Sequence, residues 1–289
     1  MKKITLSFLF LISISLLSCD QQSLPLNTSC TDLLLLSDFD DIGQMHNDFL
    51  QNFHDNFDPE DYPSTLSFTQ RIDVANNFNK SYAATLNLSS TDLTLLNTAL
   101  DASKKLLELD ENYEKNFVDA TIVSGYDSYE ILSYLETNNA IDAFEKELLI
   151  DVLNLCYANK IGNIDEEGMK SELLDLREKW TDQQYKVCDN TGVLSAYILS
   201  IGLCSVDWWI DHPEVYSNGE RIAPWVAADI TGAVWGAFWG VCGQVANQPY
   251  RPNGPAIVIN WGSVAWAAAG GAISGSTGLT GKLTKLLFG

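Results

Sequence analysis

Two histidines and the acids around them are the first residues whose types suggest chemistry. His46 and His54 lie on one predicted helix, among Asp48 and Asp55. Eight residues of helix amount to two turns and about 80° more, so the two rings lack the spacing of four that a ligand pair on a helix needs. We favour a packed polar pair of His46 with Asn47, which fixes this helix against its neighbours, over a metal site.

An acidic run precedes that helix, from Asp38 to Gly43. It has the oxygen density of a calcium-binding loop, but Ile42 stands at its fifth position and Phe49 at its twelfth, where such a loop needs an oxygen ligand and a bidentate glutamate. We expect its three aspartates to cap the helix and to favour its dipole. The sequence therefore predicts no metal and no cofactor.

The arrangements that nucleophilic or phosphate chemistry requires are missing from the sequence. It contains no nucleophile elbow, no phosphate-binding glycine loop and no paired histidine–cysteine signature. The third histidine, His212, follows Asp211 and precedes a proline, where we expect a helix C-cap. We predict no catalytic residue, and an envelope enzyme is the last of our three functional hypotheses.

The amino terminus has the three parts of a bacterial secretion signal: two lysines, an apolar run from Ile4 to Leu17, and then Ser18-Cys19. The run 16–19 resembles the lipobox of bacterial lipoproteins, a family in which the cysteine is diacylated and becomes the first mature residue. The resemblance implies that residues 1–18 are removed, that Cys19 is a lipid anchor and that residues 19–37 form a tether. An ordinary cleaved signal that contains a cysteine is the alternative. A membrane-spanning first helix is disfavoured because about fourteen apolar residues fall short of a bilayer.

Five cysteines remain if Cys19 carries lipid, which is an odd number in an oxidising compartment. None of them are paired at metal-ligand spacing. Cys188 and Cys204 are close enough in sequence to bridge, but spacing alone does not give the connectivity. At least one thiol should stay free or pair between chains.

Charge is distributed very unevenly along the chain. Between Asp20 and Asp182 there are 32 acidic and 10 basic residues, a net charge of −22, whereas from Gln183 onwards there are 6 acidic and 5 basic residues. A nucleic-acid partner is excluded, because binding phosphates requires a basic patch. The apolar content is too high for disorder, so the acidic part should be folded with its charges in solvent.

Apolar residues recur at helical spacing through most of the chain, and no run alternates with the period of two that a strand needs. The sequence predicts an all-α fold. The predicted helices run from Ile42 to a stop at Asp58-Pro59, and then over Ser67–Ala84, Asp92–Val118, Ser128–Glu136, Ala140–Ala158, Met169–Tyr185 and Val193–Ile210. We assign residues 38–187 to an acidic helical domain and residues 188–289 to an apolar helix followed by a hairpin.

Two nearly uncharged segments, 224–246 and 256–275, carry small residues at every fourth position. Such a stripe gives a helix a smooth face that another backbone can approach closely. We predict a helical hairpin that packs through Ala228, Gly232, Gly236, Gly240, Gly262, Gly270, Gly271 and Gly275. Both segments are long enough to cross a bilayer core. Against insertion, Asp229 lies in the first segment and Asn260 in the second, and an intramembrane acid is costly unless it is paired.

Three short motifs carry a resemblance to a group of uncharacterised bacterial lipoproteins and secreted proteins. Residues 40–50 match a D-x-x-G-x-x-H-N-x-x-L opening, Ser205 to Trp209 matches an S-x-x-Y-W helix, and Asp229 to Ala233 matches the D-x-x-G-A start of an Ala/Gly-rich zipper. This chain departs by having Trp208 in place of the tyrosine and more tryptophan in the zipper. The resemblance implies no known activity. More loosely, the zipper resembles the GxxxG helices of membrane-active bacteriocins.

Two functional hypotheses from different classes follow. The first is a non-enzymatic, lipid-anchored protein of the cell envelope, on the periplasmic or the cell-surface face of the outer membrane, whose glycine faces pack within the chain or between copies. Its partners would be the membrane through Cys19 and either a second copy or an envelope protein. The second is a membrane-active or pore-forming protein whose hairpin inserts into bilayers.

Overall fold

The computed structural model of the chain describes residues 32–58, 61–63, 65–108, 128–160, 162–187, 191–213, 223–247 and 259–279. Over these ranges the fold is all-α, as predicted, with one isolated antiparallel bridge between Leu33 and Lys186. A short 3-10 helix, Leu36–Phe39, precedes nine α-helices in the described ranges. The helices are α1 (Asp40–Asn56), α2 (Phe68–Ala83), α3 (Ser90–Glu108), α4 (Ser128–Thr137), α5 (Ala143–Lys160), α6 (Glu166–Asp182), α7 (Val193–Asp211), α8 (Ala223–Asn247) and α9 (Trp261–Leu279). The predicted signal, Cys19, most of the tether, the end of the predicted third helix and the hairpin connection lie outside the described residues.

Helix boundaries follow local capping chemistry. Ser67 and Gln70 form a reciprocal capping box at the start of α2, and the Asp165 side chain accepts from the Gly168 amide at the start of α6. The predicted aspartate cap of α1 is wrong. Its N-cap is Phe39, whose side chain has no hydrogen-bond acceptor, and the Asp38 carboxylate instead accepts from the Leu35 amide (3.0 Å) of the preceding turn. Asp40 and Asp41 do lie in the first turn of α1, where acids favour the helix dipole.

Two long apolar helices, α7 and α8, lie in the centre of the molecule. By length and composition each could cross a membrane, but 78% of the most apolar stretch of each helix is buried inside the fold. One hydrophobic core joins side chains from both sides of residue 188, including Leu149, Leu173, Ile198, Phe238 and Ala272. A helix that is apolar all round is a core helix in this setting.

Around this centre the remaining helices are arranged in contact pairs. α1 packs on α7, α6 also packs on α7, and α5 packs on α8. α9 lies between α8 on one side and α3 and α1 on the other. A second, smaller core of Phe49, Ala83, Leu96, Leu100 and Ile273 fills the space where α1, α2, α3 and α9 meet. α8 and α9 are therefore integrated into the fold rather than appended to it.

Candidate functional site

The predicted glycine faces of α8 and α9 meet. A Cβ atom on Gly232 would overlap the Gly271 carbonyl, with the carbonyl carbon at 2.9 Å, and one on Gly271 would overlap the carbonyl of Gly232 in return. One on Gly236 would overlap the carbonyl of Ala267, whose carbon lies at 2.8 Å. Gly232 meets Gly271, Gly236 meets Ala267 and Gly240 meets Val264. Residue numbers rise along α8 while those of the contacted residues fall along α9, so the two helices are antiparallel. This interface has backbone against backbone and no room for a methyl group.

Gly240 also lies on this interface, with its Cβ position 3.1 Å from the Ala267 side chain, and the four other predicted packing residues divide into three groups. Gly270 faces away from α8, and its Cβ position lies 2.6 Å from the Ala99 side chain of α3. Ala228 and Gly275 are buried. The assignment of Gly262 to the interface is wrong, because this residue is exposed at the start of α9 and its Cβ position approaches only Asn260. The face of α9 that carries Ala267 and Gly271 thus packs on α8, while Gly270 packs on α3.

A buried carboxylate on α8 is the centre of the candidate site. Asp229 is fully buried, and its Oδ2 atom accepts hydrogen bonds from Ser205 Oγ (2.6 Å) and Trp209 Nε1 (2.7 Å), both on α7. His46 on α1 is also fully buried, with its Nε2 atom 3.6 Å from the same oxygen. We call these four residues, together with Asn47, the Asp229 cluster. The cluster joins three helices that are distant in sequence.

Asn47 fixes the orientation of the His46 ring. Its Nδ2 donates to the Cys204 carbonyl on α7 (2.9 Å), so its Oδ1 faces His46 Nδ1 at 3.1 Å, and that nitrogen carries a hydrogen. The Nε2 atom consequently faces Asp229 Oδ2, at a distance too long for a hydrogen bond. Burial lowers the pKa of His46, and the neighbouring Asp229 charge and the Asn47 hydrogen bond oppose that shift. The pair of His46 and Asn47 fixes α1 against α7, which is the role that the sequence predicted for it.

All three motifs singled out in the sequence contribute to this one place. The first supplies His46 and Asn47, the second Ser205 and Trp209, and the third Asp229. The glycine of the first motif, Gly43, lets α1 approach closely, since a Cβ there would lie 2.8 Å from the Ser200 carbonyl oxygen of α7. Gly232 of the third motif does the same for α8 and α9. The spacing of these motifs is therefore explained by helix packing.

The Asp229 cluster contains a serine, a histidine and an aspartate, but its geometry does not suit nucleophilic catalysis. Ser205 donates its proton to Asp229 rather than to His46, and a nucleophile needs the base as its partner. All three side chains have no exposed surface, so a substrate has no access to the hydroxyl. What the arrangement does chemically is to satisfy a buried charge, which would otherwise be strongly destabilising.

Cysteines and acids elsewhere in the described ranges form no reactive or metal-binding group. Cys156, Cys204 and Cys242 are free thiols. Burial, with Asp40 and Asp207 nearby, raises the pKa of Cys204 to about 11, so this thiol is a poor nucleophile. His54 pairs with its neighbour Asp55 (3.1 Å) rather than with His46. No group of three or more histidine, cysteine, aspartate or glutamate side chains suited to a metal occurs among the residues described.

A second buried carboxylate was not predicted from the sequence. Glu145, in the first turn of α5, is fully buried and accepts from the Gly192 amide (2.7 Å), the Ser195 amide (2.9 Å) and the Ser195 hydroxyl (2.9 Å). It therefore caps the amino terminus of α7 from a position almost fifty residues away. No local pattern signals such a cap, because the acceptor and the donors lie on different helices.

Comparison with known proteins gives no family assignment. No family model matches the chain, and neither a curated protein nor a solved structure has significant similarity to it.

Proposed function

We propose that this protein is a non-enzymatic, lipid-anchored component of the bacterial cell envelope that acts through structure or interaction. The observation that supports the proposal best is the Asp229 cluster, in which the conspicuous polar groups of the apolar helices α7 and α8 are bonded to each other. These groups hold three helices together and leave no exposed reactive atom at that place. We expect the shared motifs to preserve this packing rather than a reaction.

The Asp229 cluster favours a position of α8 inside the folded domain over a position in a lipid bilayer. Transferring α8 into lipid would separate Asp229 from Ser205 and Trp209 and leave both donors and the carboxylate without partners. An ionised acid at the bilayer centre costs several kcal/mol unless it is paired. The glycine face of α8 is also already covered by α9. Both features support a water-facing domain whose membrane attachment is the acyl chain on Cys19.

The anchor and the location are proposed from the amino-terminal sequence. Cys19 would carry the lipid and place the acidic helices in the aqueous phase, on the periplasmic or the cell-surface face of the outer membrane. A net charge of −21 for the whole chain disfavours nucleic acid and anionic lipid as partners. An envelope protein or a second copy of this chain is the partner class that remains.

Metabolic labelling with a palmitate analogue tests the anchor. We expect the wild-type chain to take up label, Cys19→Ala to take up none, and the matched control Cys30→Ala to be labelled like the wild type. Protease treatment of intact cells then reports the face of the membrane. Equal labelling of the Cys19→Ala and wild-type proteins would exclude the proposed anchor.

A membrane-active protein is the second candidate function. The observation that favours it is the length and apolar composition of α7 and α8, each of which is long and apolar enough to cross a membrane. Adding the full-length protein to dye-loaded vesicles of phosphatidylethanolamine and phosphatidylglycerol distinguishes the two candidates. The first candidate predicts no leakage, whereas protein-dependent leakage that Gly236→Leu abolishes would support the second.

A further inference from the structure

The amino terminus of α7 is capped by a residue that can gain and lose a proton. The first amides of a helix have no intrahelical acceptors, and a carboxylate placed there satisfies them and interacts well with the helix dipole. Here the carboxylate comes from α5, through the three hydrogen bonds of Glu145 to Gly192 and Ser195. Trp180 of α6 donates to the Gly192 carbonyl at 2.8 Å, so three helices meet at this cap.

The backbone at this point depends on glycine. Gly192 has φ of +84°, in the left-handed region, and a Cβ there would overlap the Tyr185 ring. Tyr185 in turn accepts, through its carbonyl, from the Leu34 amide (2.8 Å) in the bridged amino-terminal segment. The cap therefore lies where the amino-terminal segment, α5, α6 and α7 come together.

The Ser195 hydroxyl has two partners, and this lets the cap accept a proton without leaving a donor unpaired. Its Oγ lies 2.9 Å from Glu145 Oε1 and 3.1 Å from the Gly192 carbonyl oxygen. With Glu145 ionised, the hydroxyl donates to the carboxylate. With Glu145 protonated on Oε1, the carboxyl O–H donates to Ser195 Oγ, and the serine O–H turns to the Gly192 carbonyl. Both protonation states thus keep a connected network.

We propose that Glu145 and Ser195 form a pH-sensitive lock on the start of α7: the three donors and the helix dipole favour the carboxylate, but its full burial opposes ionisation more strongly, so the fold is most stable when Glu145 carries a proton. The physical cause is the full burial of the carboxyl group, since an ionised group in the interior loses its hydration. Asp142, which accepts from the Glu145 amide at 2.7 Å, adds a second negative charge close by. Loss of the proton therefore creates a buried charge beside another acid.

Two other titratable side chains are described around the lock, Asp142 and Tyr185. Tyr185, from the segment after α6, hydrogen-bonds to Asp142 (3.2 Å) and not to Glu145. Asp142 is the acid whose charge raises the pKa of Glu145, whereas the three donors lower it. Among the described contacts of Glu145, α7 contributes only the uncharged Ser195 and the Gly192 amide. Burial is the largest effect and raises the pKa of Glu145 to about 7.

The sign of the pH dependence follows from this. The pKa of Glu145 in the folded state lies above the ordinary value of 4.5, so the folded state binds the proton more tightly than the unfolded state does. Stability from this group is fully present below about pH 4.5 and is lost as the pH rises through about 7. The folded-to-unfolded ratio should fall on the order of a hundredfold over that window.

Urea unfolding of the purified full-length protein between pH 4.5 and 8 tests the lock against two variants. Glu145→Gln removes the titrating group, and Glu147→Gln makes the same replacement at an exposed position of the same helix. We expect the wild type and Glu147→Gln to lose stability with rising pH relative to Glu145→Gln, on the order of a hundredfold in the folding ratio. Parallel profiles for all three proteins would overturn the proposal.

Direct titration keeps the test decisive if Glu145→Gln does not fold. In protein labelled with ¹³C-glutamate, the Glu145 carboxyl resonance should titrate near neutrality while the fold stays intact. A midpoint at or below that of an exposed glutamate would show that the three donors outweigh burial, and the lock would be refuted.

Discussion

Replacing Gly236 by alanine places a methyl group against the backbone of α9. The new carbon would overlap the Ala267 carbonyl oxygen and lie 2.8 Å from its carbon, whereas ordinary contacts begin near 3.4 Å. The helices must therefore separate by at least 0.6 Å at this point, the difference between those two distances. A gap of that size forfeits roughly a quarter of each dispersion contact along the interface. Overpacking of this kind costs about 1–3 kcal/mol.

The same helix contains a matched control. A Cβ on Gly243 meets no atom within 4 Å, so Gly243→Ala gains the helix propensity of alanine, about 1 kcal/mol, without a clash. Gly236→Ala gains the same propensity, and the difference between the two variants isolates the clash. The backbone carbonyl cannot rotate away, which places the expected difference at the upper end, about 2–3 kcal/mol.

Thermal and urea unfolding followed by circular dichroism measure this difference. At roughly 2–4 °C per kcal/mol, Gly236→Ala should melt about 4–12 °C below Gly243→Ala. If the two variants are equally stable, α8 and α9 do not touch through Gly236, and the packing described above is incorrect.

The remaining predictions concern the Asp229 cluster. Asp229→Ala removes the acceptor from Ser205 and Trp209 and should destabilise the fold by about 3–5 kcal/mol in urea unfolding. Asp229→Asn retains an oxygen acceptor and should cost less than half as much. Equal costs for the two variants would count against the hydrogen bonds described. Because burial lowers the pKa of His46 below its ordinary value of 6.5, the unfolded state takes up the proton first as the pH falls. Stability should therefore decrease with acidification below about pH 6.5 relative to His46→Gln, and His54→Gln serves as the control. A wild-type profile that parallels the His46→Gln profile would contradict that assignment. This slope is opposite to the one expected from Glu145, so the two single variants separate the effects.

Local pattern was sufficient for most of the helices. The predicted helix over residues 67–84 is α2 at Phe68–Ala83, and the predicted segment 193–210 is α7 at Val193–Asp211. The predicted C-cap is also present, since His212 Nδ1 bonds to the Trp208 carbonyl at 2.7 Å. Periodicity, glycine and proline positions and capping residues are local signals, and these elements depend on them.

Contacts between distant helices were harder to predict. The small-residue stripes indicated that α8 and α9 pack together, but not that Gly270 and Trp266 of α9 pack on α3, where the Trp266 indole donates to Asp92 (3.0 Å). The sequence indicated that Asp229 is an acid that needs a partner, and the structure shows that Ser205 and Trp209 of the preceding motif are its partners. Glu145 had no such signal, because its value as a cap depends on the position of α7. Burial of a charged residue is a tertiary property that one sequence does not display.

Extraction of envelope membranes with alkaline carbonate, carried out on Cys19→Ala, tests the central claim most directly. The claim is that α7 and α8 are core helices of the protein and that lipid attachment alone holds it to the membrane. We predict that the unlipidated protein appears in the supernatant and the wild type in the pellet. Recovery in the pellet of a Cys19→Ala chain that lacks residues 1–18 would mean that the apolar helices themselves lie in the bilayer.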